Sequence, residues 1–197
     1  MGLSLDYIFG QTPLDDDEKE GLLIPTITTK QELDEFEQNN IEEAVLWSLG
    51  PKNYKSMVLT EGFIKRVHFK MFGNIWDWAG NFRKTNKNIG VDKYLISSEL
   101  KMLLDDIQFW VENKTFSPDE ICIRFKHRLV VIHCFPNGNG RHSRLMGDIL
   151  ISKLFKVPVF TWGSLKYPIA ESRKVYLNSL RKADQGNIKP LLEFARS

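Results

Sequence analysis

Apolar residues recur at helical intervals over most of the chain. Leu100, Leu103, Leu104, Ile107 and Trp110 step by threes and fours, as do Ile121, Phe125, Leu129 and Ile132. Phe63, Ile64, Val67, Met71 and Phe72 form a third such stripe, and Leu145, Met146, Ile149 and Leu150 a fourth. Start and stop signals bracket them. Thr29 with Glu32 reads as a capping box opening a first helix, in which Leu33, Phe36, Ala44 and Trp47 share a face and Gly50-Pro51 closes. A second helix begins near Thr60 and ends at Gly73. Ser97 or Ser98 opens the third, and Ser117, Pro118 and Glu120 cap the fourth. A fifth follows Gly140 and ends before Pro158, and residues 169–183 and 188–195 read as two more. The pattern predicts a mostly α-helical domain.

Two segments lack that period. Residues 81–95 place Asn86, Asn88, Gly90 and Asp92 between Phe82 and Tyr94-Leu95-Ile96, which suggests a short β-hairpin or an ordered loop. Residues 1–27 crowd Asp15, Asp16, Asp17, Glu18 and Glu20 between Pro13 and Pro25, and read as an N-terminal arm with a solvated acidic stretch. The domain proper is then 28–197.

Composition narrows the class. The 197 residues are 42% hydrophobic and carry 27 basic against 25 acidic side chains, a net charge of +2. That length suits one domain, and the near-balance of charge argues against direct nucleic-acid binding. The 2 cysteines, Cys122 and Cys134, make no disulfide framework. No apolar run nears the roughly 20 residues of a membrane helix, and no basic-then-apolar leader opens the sequence. The expectation is a cytoplasmic protein without membrane contact.

The chemistry concentrates in His133-Cys134-Phe135-Pro136-Asn137-Gly138-Asn139-Gly140-Arg141-His142-Ser143-Arg144. Gly138 and Gly140 bracket Asn139 where a helix starts, so backbone N–H groups and the helix dipole can face an anion. Arg141 and Arg144, three apart, present forks suited to phosphate oxygens from one side of the first turn. His133, at the far end of the loop, can take a proton from a hydroxyl attacking a bound phosphoryl group. Phe135 reads as pointing inward to pin the loop. Each feature alone also occurs in structural roles; twelve consecutive residues agree on one chemistry. A P-loop reading, with 129–132 as its strand, ranks low, since the Gly-x-x-x-x-Gly-Lys-Ser/Thr pattern is missing and no alternation of strands and helices surrounds it. His127, His133, His142, Cys122 and Cys134 match no zinc spacing, and His68 and His127 read as core-edge or surface histidines.

The segment resembles the signature of the Fic/Doc family, His-Pro-Phe-x-Asp/Glu-Gly-Asn-Gly-Arg-x-x-Arg, at His133, Phe135, Gly138, Asn139, Gly140, Arg141 and Arg144. Ile75 to Arg83 is similar to the family's Trp-Ala-Gly segment leading into its substrate-positioning flap, and Tyr176 to Leu191 to its closing helices. The similarity runs over about residues 59–194. It implies a helical Fic-type domain with a short β-hairpin flap. It also implies transfer of AMP from ATP, with Mg²⁺, to a Ser, Thr or Tyr hydroxyl of a target protein, releasing pyrophosphate. By that resemblance His133 is the general base; Asn137, Gly138, Asn139, Gly140, Arg141 and Arg144 bind the nucleotide phosphates. The flap, Lys84, Thr85, Asn86, Lys87, Asn88, Ile89 and Gly90, aligns the target.

Two positions depart from the signature. Cys134 stands for proline, and Asn137 for the acid that holds the metal, a neutral and weaker Mg²⁺ ligand. Three outcomes stay open: transfer with weakly held metal, another phosphate-containing donor, or a non-catalytic nucleotide-binding regulator. Pro136-Asn137 resembles the mobile mystery protein B subgroup, which implies a helix-turn-helix or antitoxin-like partner protein. The family's inhibitory Ser/Thr-x-x-x-Glu-Gly/Asn motif is matched only in its first part by Thr28 and Glu32, which the capping box explains. Tyr167, Lys174 and Tyr176 are candidate lining residues.

Overall fold

The computed structural model describes residues 12–52 and 54–197, and the backbone but not the side chain of Ile169. Eight α-helices occur among them: α1 (Asp16–Glu20), α2 (Lys30–Leu49), α3 (Glu61–Phe72), α4 (Ile96–Asn113), α5 (Pro118–Ile132), α6 (Asn139–Phe155), α7 (Ile169–Asp184) and α8 (Lys189–Arg196). The central pair is α5 and α6, joined by the motif loop; α4 and α8 flank α5, and α2 and α3 pack as a hairpin against α6.

Local signals set the boundaries. Thr29 caps α2 by accepting from Glu32 N at 3.2 Å, and Glu32 Oε2 returns to accept from Thr29 N at 3.0 Å. Glu32 is thus spent on the helix start. Ser117 caps α5, but Glu120 does not close a box; its carboxylate accepts from Arg124 one turn on, at 2.7 Å. Helix α4 begins at Ile96 without a side-chain cap, because a 3-10 turn at Lys93–Leu95, capped by Asp92, runs directly into it.

The core is continuous through Phe63, Val67, Met71, Trp76, Ile107, Phe125, Ile132, Phe135, Met146, Ile149 and Phe194. Helix α2 departs from expectation: its buried stripe is Leu33, Glu37, Asn40, Ala44 and Ser48, while Phe36 is 44% exposed. The stripe is buried because polar partners wait for it. Trp76 Nε1 donates to Glu37 at 2.9 Å, and Asn74 Nδ2 donates to Asn40 at 2.9 Å.

No strand ladder exists among the described residues beyond an isolated bridge between Leu22 and Trp76. The segment expected as a β-hairpin flap is instead an ordered loop organised by one side chain. Arg83, 3% exposed, donates to the carbonyls of His133 (2.6 Å), Thr85 (2.8 Å) and Val91. A guanidinium that satisfies these carbonyls removes the need for cross-strand pairing.

Residues 12–27 also differ from a solvated arm. Leu14 and Ile27 are buried, Leu23 N donates to Ile75 O at 2.8 Å, and Trp78 Nε1 donates to Glu18 O at 2.9 Å. The acidic cluster has a partner: the Lys87 side chain is 3% exposed and pairs with Asp15 at 2.9 Å and Glu18 at 2.5 Å. An ammonium removed from water needs such counter-charge. Residues 1–11 of the expected arm lie outside the described residues. No helix among the described residues is long and apolar enough to cross a membrane.

Candidate active site

Helix α5 ends at His133, whose backbone is left-handed (φ 58°). That conformation is costly for a residue with a side chain. It turns the chain sharply and brings the imidazole back over the helix end. His133 is 4% exposed, and its Nδ1 lies 3.4 Å from Val130 O. With the Nδ1 proton on that carbonyl, Nε2 keeps a lone pair. Burial, chiefly, moves the imidazole pKa down to about 4, with Arg83 and Lys87 adding to the shift. At neutral pH the ring is an uncharged base.

The loop behind it is held from three sides. Asn139, 4% exposed, accepts from Phe135 N at 3.0 Å and donates to Phe135 O at 2.8 Å. The Phe135 ring is fully buried and stacks on His68 at 3.7 Å between centroids. His68 is not at the surface: it is fully buried, accepts from Gly80 N (3.0 Å) at Nδ1, and so donates from Nε2 to Asn137 O (3.0 Å). The segment before the flap is thereby tied to the motif through one neutral imidazole. His142 repeats the device on the other side, reaching Ile64 O at 3.0 Å.

Gly138 is the N-cap of α6, with φ 76°, and a Cβ there would come within 2.5 Å of the Phe72 ring. Glycine is required twice over. Gly140 differs: its φ is not positive and open space lies where its Cβ would be. No side chain caps α6, so its leading N–H groups are offered to whatever approaches that open face. Such an uncapped start favours an anion.

The two arginines part company. Arg141 pairs with Glu37 at 2.5 Å, its guanidinium 4.9 Å from the Phe72 centroid. Arg144 lies over the Tyr176 ring at 5.3 Å, against α7. Lys126, fully buried, donates to the Oη of the same tyrosine at 2.5 Å. Tyr167 stacks on Phe194 at 6.0 Å, a packing contact. Sequence reasoning missed Glu37 because it sits in a polar buried stripe, and Arg83 because nothing in a sequence marks an arginine as buried. The signal present was the three- and four-residue spacing of Glu37 with Leu33, Asn40 and Ala44.

The residues expected to form the flap reach His133 only in part. Arg83 N donates to Cys134 O at 2.9 Å, and Gly90 (φ 104°) lies so close that a Cβ would be 2.7 Å from that of His133. Thr85 and Lys87 face α1, Asn86 bonds Asp92 at 2.9 Å, and Lys84 O accepts from Lys93. Ile89 is 49% exposed.

The residues do not fit a resident Mg²⁺. Asn137 Oδ1 accepts from Gly138 N at 2.6 Å and its Nδ2 donates to Thr12 O at 2.9 Å, so the amide is spent on protein. The described residues contain no group of three His, Cys, Asp or Glu able to hold a metal. Cys134 is buried and its thiol is pushed up to about 12 by burial, which leaves it inert.

Compared with known proteins, residues 58–151 match the model of the Fic/DOC family. A protein adenylyltransferase Fic of Aedes aegypti is 26% identical over 144 residues, covering 71% of this chain and 28% of the relative. One of Drosophila melanogaster is 26% identical over 135 residues, covering 66% and 26%. The chain thus spans little more than a quarter of the length of these curated relatives. Among solved structures, BepC of Bartonella tribocorum with bound AMPPNP superposes with a TM-score of 0.65 at 17% identity, over 92% of this chain and 97% of that one. Fic-1 of C. elegans gives 0.66 at 23%, over 90% and 51%. These likenesses establish the helical fold.

Proposed function

We propose that the chain is a member of the Fic/DOC family, whose model matches residues 58–151, and that it is a protein adenylyltransferase, moving AMP from ATP to a hydroxyl side chain of a target protein. The observation that carries this is a neutral, buried His133 whose Nε2 meets a hydroxyl, that of Thr12, at 3.1 Å, placed one loop away from an uncapped helix start. In this reading a target hydroxyl gives its proton to Nε2 and its oxygen attacks the α-phosphorus. The bond to the bridging oxygen breaks and pyrophosphate leaves. The Val130 carbonyl fixes the tautomer, and the first turn of α6 at Asn139, Gly140 and Arg141 neutralises phosphate charge. Arg144 adds charge from the α7 side; Arg141 does so once the phosphates compete it away from Glu37. A base of this kind contributes about 10²–10⁴-fold. The curated relatives named adenylyltransferases support ATP as donor, and the neutral Asn137 supports weak dependence on a protein-held metal.

The test incubates wild type and His133→Ala with α-labelled ATP, UTP, GTP or CTP and a cell lysate. Label on protein from ATP that disappears in the variant is expected. Label from no donor would overturn the transferase reading, and label from another nucleotide would overturn ATP as donor.

A further inference from the structure

Helix α4 is apolar along two rows. Its inner row, Ile96, Leu100, Leu103 and Ile107, is buried. Its outer row starts at Leu95, on the 3-10 turn that leads into α4, and continues through Met102 and Phe109; these three lie between 49% and 58% exposed. Their heptad spacing keeps them on one side of the helix, over about 21 Å at a rise of about 1.5 Å per residue. Glu99 and Asp106 fall between them on the same row. A helix face left to water carries polar side chains throughout; this one alternates large apolar groups with acids.

A cavity of about 290 Å³ opens beside the row, between α4, α5 and the turn from α7 to α8. Met102 and Asp106 line it from the outer row, and Leu103, Trp110 and Ile188 give it apolar walls. None of the residues from His133 to Arg144 lines it, so the transfer chemistry leaves it unused. The basic groups around it are already answered. Arg128 pairs with Glu99, Arg124 with Glu120 at 2.7 Å, and His127 Nε2 donates to Asp184 at 2.8 Å. Burial, chiefly, holds the His127 imidazole below its usual pKa, so it is uncharged at neutral pH and leaves the Asp184 charge standing. The Asp106 carboxylate has no hydrogen bond or ion pair among the described residues. Helix α4 as a whole carries Glu99, Asp105, Asp106 and Glu112 against Lys101. The surface therefore combines apolar groups with an excess of negative charge.

A small cation would use the cavity alone, but the apolar row runs past it to Leu95 and Phe109. We propose that this face docks a basic amphipathic helix of a partner protein. Its apolar residues meet Leu95, Met102 and Phe109, and one arginine or lysine enters the cavity against Asp106. Trp110 supplies an aromatic ring beside that charge. The surface is independent of the adenylyl-transfer reading.

The test titrates the whole chain with a synthetic helical peptide of about 18 residues, leucine in heptad register and arginine between. Binding is followed by calorimetry and by amide shifts of isotope-labelled protein. Saturable binding is expected, with shifts confined to α4, the facing turn of α5 and residues 183–188. Asp106→Lys and Phe109→Ser should each weaken it by about tenfold or more. Glu42→Lys, the same charge change at an exposed position of α2, should leave it unchanged. All three positions are exposed, so the variants keep the wild-type melting midpoint. Absence of binding, shifts centred elsewhere, or undiminished affinity in Asp106→Lys would overturn the proposal. So would equal binding of a peptide with glutamate for each arginine. Arginine amide binding as tightly as the peptide would make the cavity a small-cation site and overturn the docking surface. Sedimentation showing a wild-type dimer that Met102→Glu dissociates would give the face to a second copy and overturn the partner.

Discussion

Replacing Arg83 by lysine should cost more than its conservative chemistry suggests. The guanidinium bonds three main-chain carbonyls, those of His133, Thr85 and Val91, from a position 3% exposed. An ammonium on a shorter, unforked stem can retain one of them. Two charge-assisted bonds at roughly 1.5–3 kcal/mol each are lost, or about 3–6 kcal/mol. For a domain of this size each kcal/mol moves the melting midpoint by about 2–4 °C, so a drop of about 10 °C is expected by calorimetry. The loss is also local. Amides at Lys84 to Asp92 should exchange faster with solvent than those of α5 and α6. Transfer should fall by about tenfold, since a base displaced by a fraction of an ångström loses its alignment. A variant that melts within about 2 °C of wild type, with unchanged exchange over 84–92, would refute the assignment of Arg83 as the organiser of the flap.

Other consequences follow from the same contacts. His133 is held neutral by burial, with a pKa of about 4; the base is competent above that value, so the pH–rate profile should stay level from about pH 8 down to about 5 and fall toward 4. A midpoint near the ordinary histidine value would show the ring to be solvated during turnover. Glu37→Gln keeps the acceptor for Trp76 Nε1 but removes the negative charge from Arg141. Nucleotide affinity by calorimetric titration should rise about tenfold, in line with the ~1–2 kcal/mol of a charged hydrogen bond released; unchanged affinity would remove Arg141 from the phosphate site. Gly90→Ala forces a Cβ to within 2.7 Å of that of His133 at a φ of 104°. Transfer should drop by at least about tenfold while the core stays folded, because strain of about 1–3 kcal/mol falls on the flap; activity within about twofold of wild type would show that flap and base are not in register.

The helices and the motif loop could be read from the chain alone. Helix starts at Thr29 and Ser117 were legible because a cap is local chemistry, satisfied within one turn by the next residues. The motif from His133 to Arg144 was legible because its glycine and its helix start act on adjacent atoms. Where local and distant contacts compete, the sequence was silent. It showed a loop at 81–95 but not that Arg83 holds it in place of a hairpin, since that requires the carbonyl of His133 to be near. It showed an acidic run at 15–20 but not that Lys87 is its partner. It placed Arg141 and Arg144 on one turn, whereas tertiary packing sends one to Glu37 and the other to Tyr176. Glu37, Asn40 and Ser48 line a buried face that no hydrophobic period announces, because the burial of the first two depends on partners from the turn after α3. The meeting of Thr12 with His133 spans 121 positions; only the folded chain brings that hydroxyl to that nitrogen.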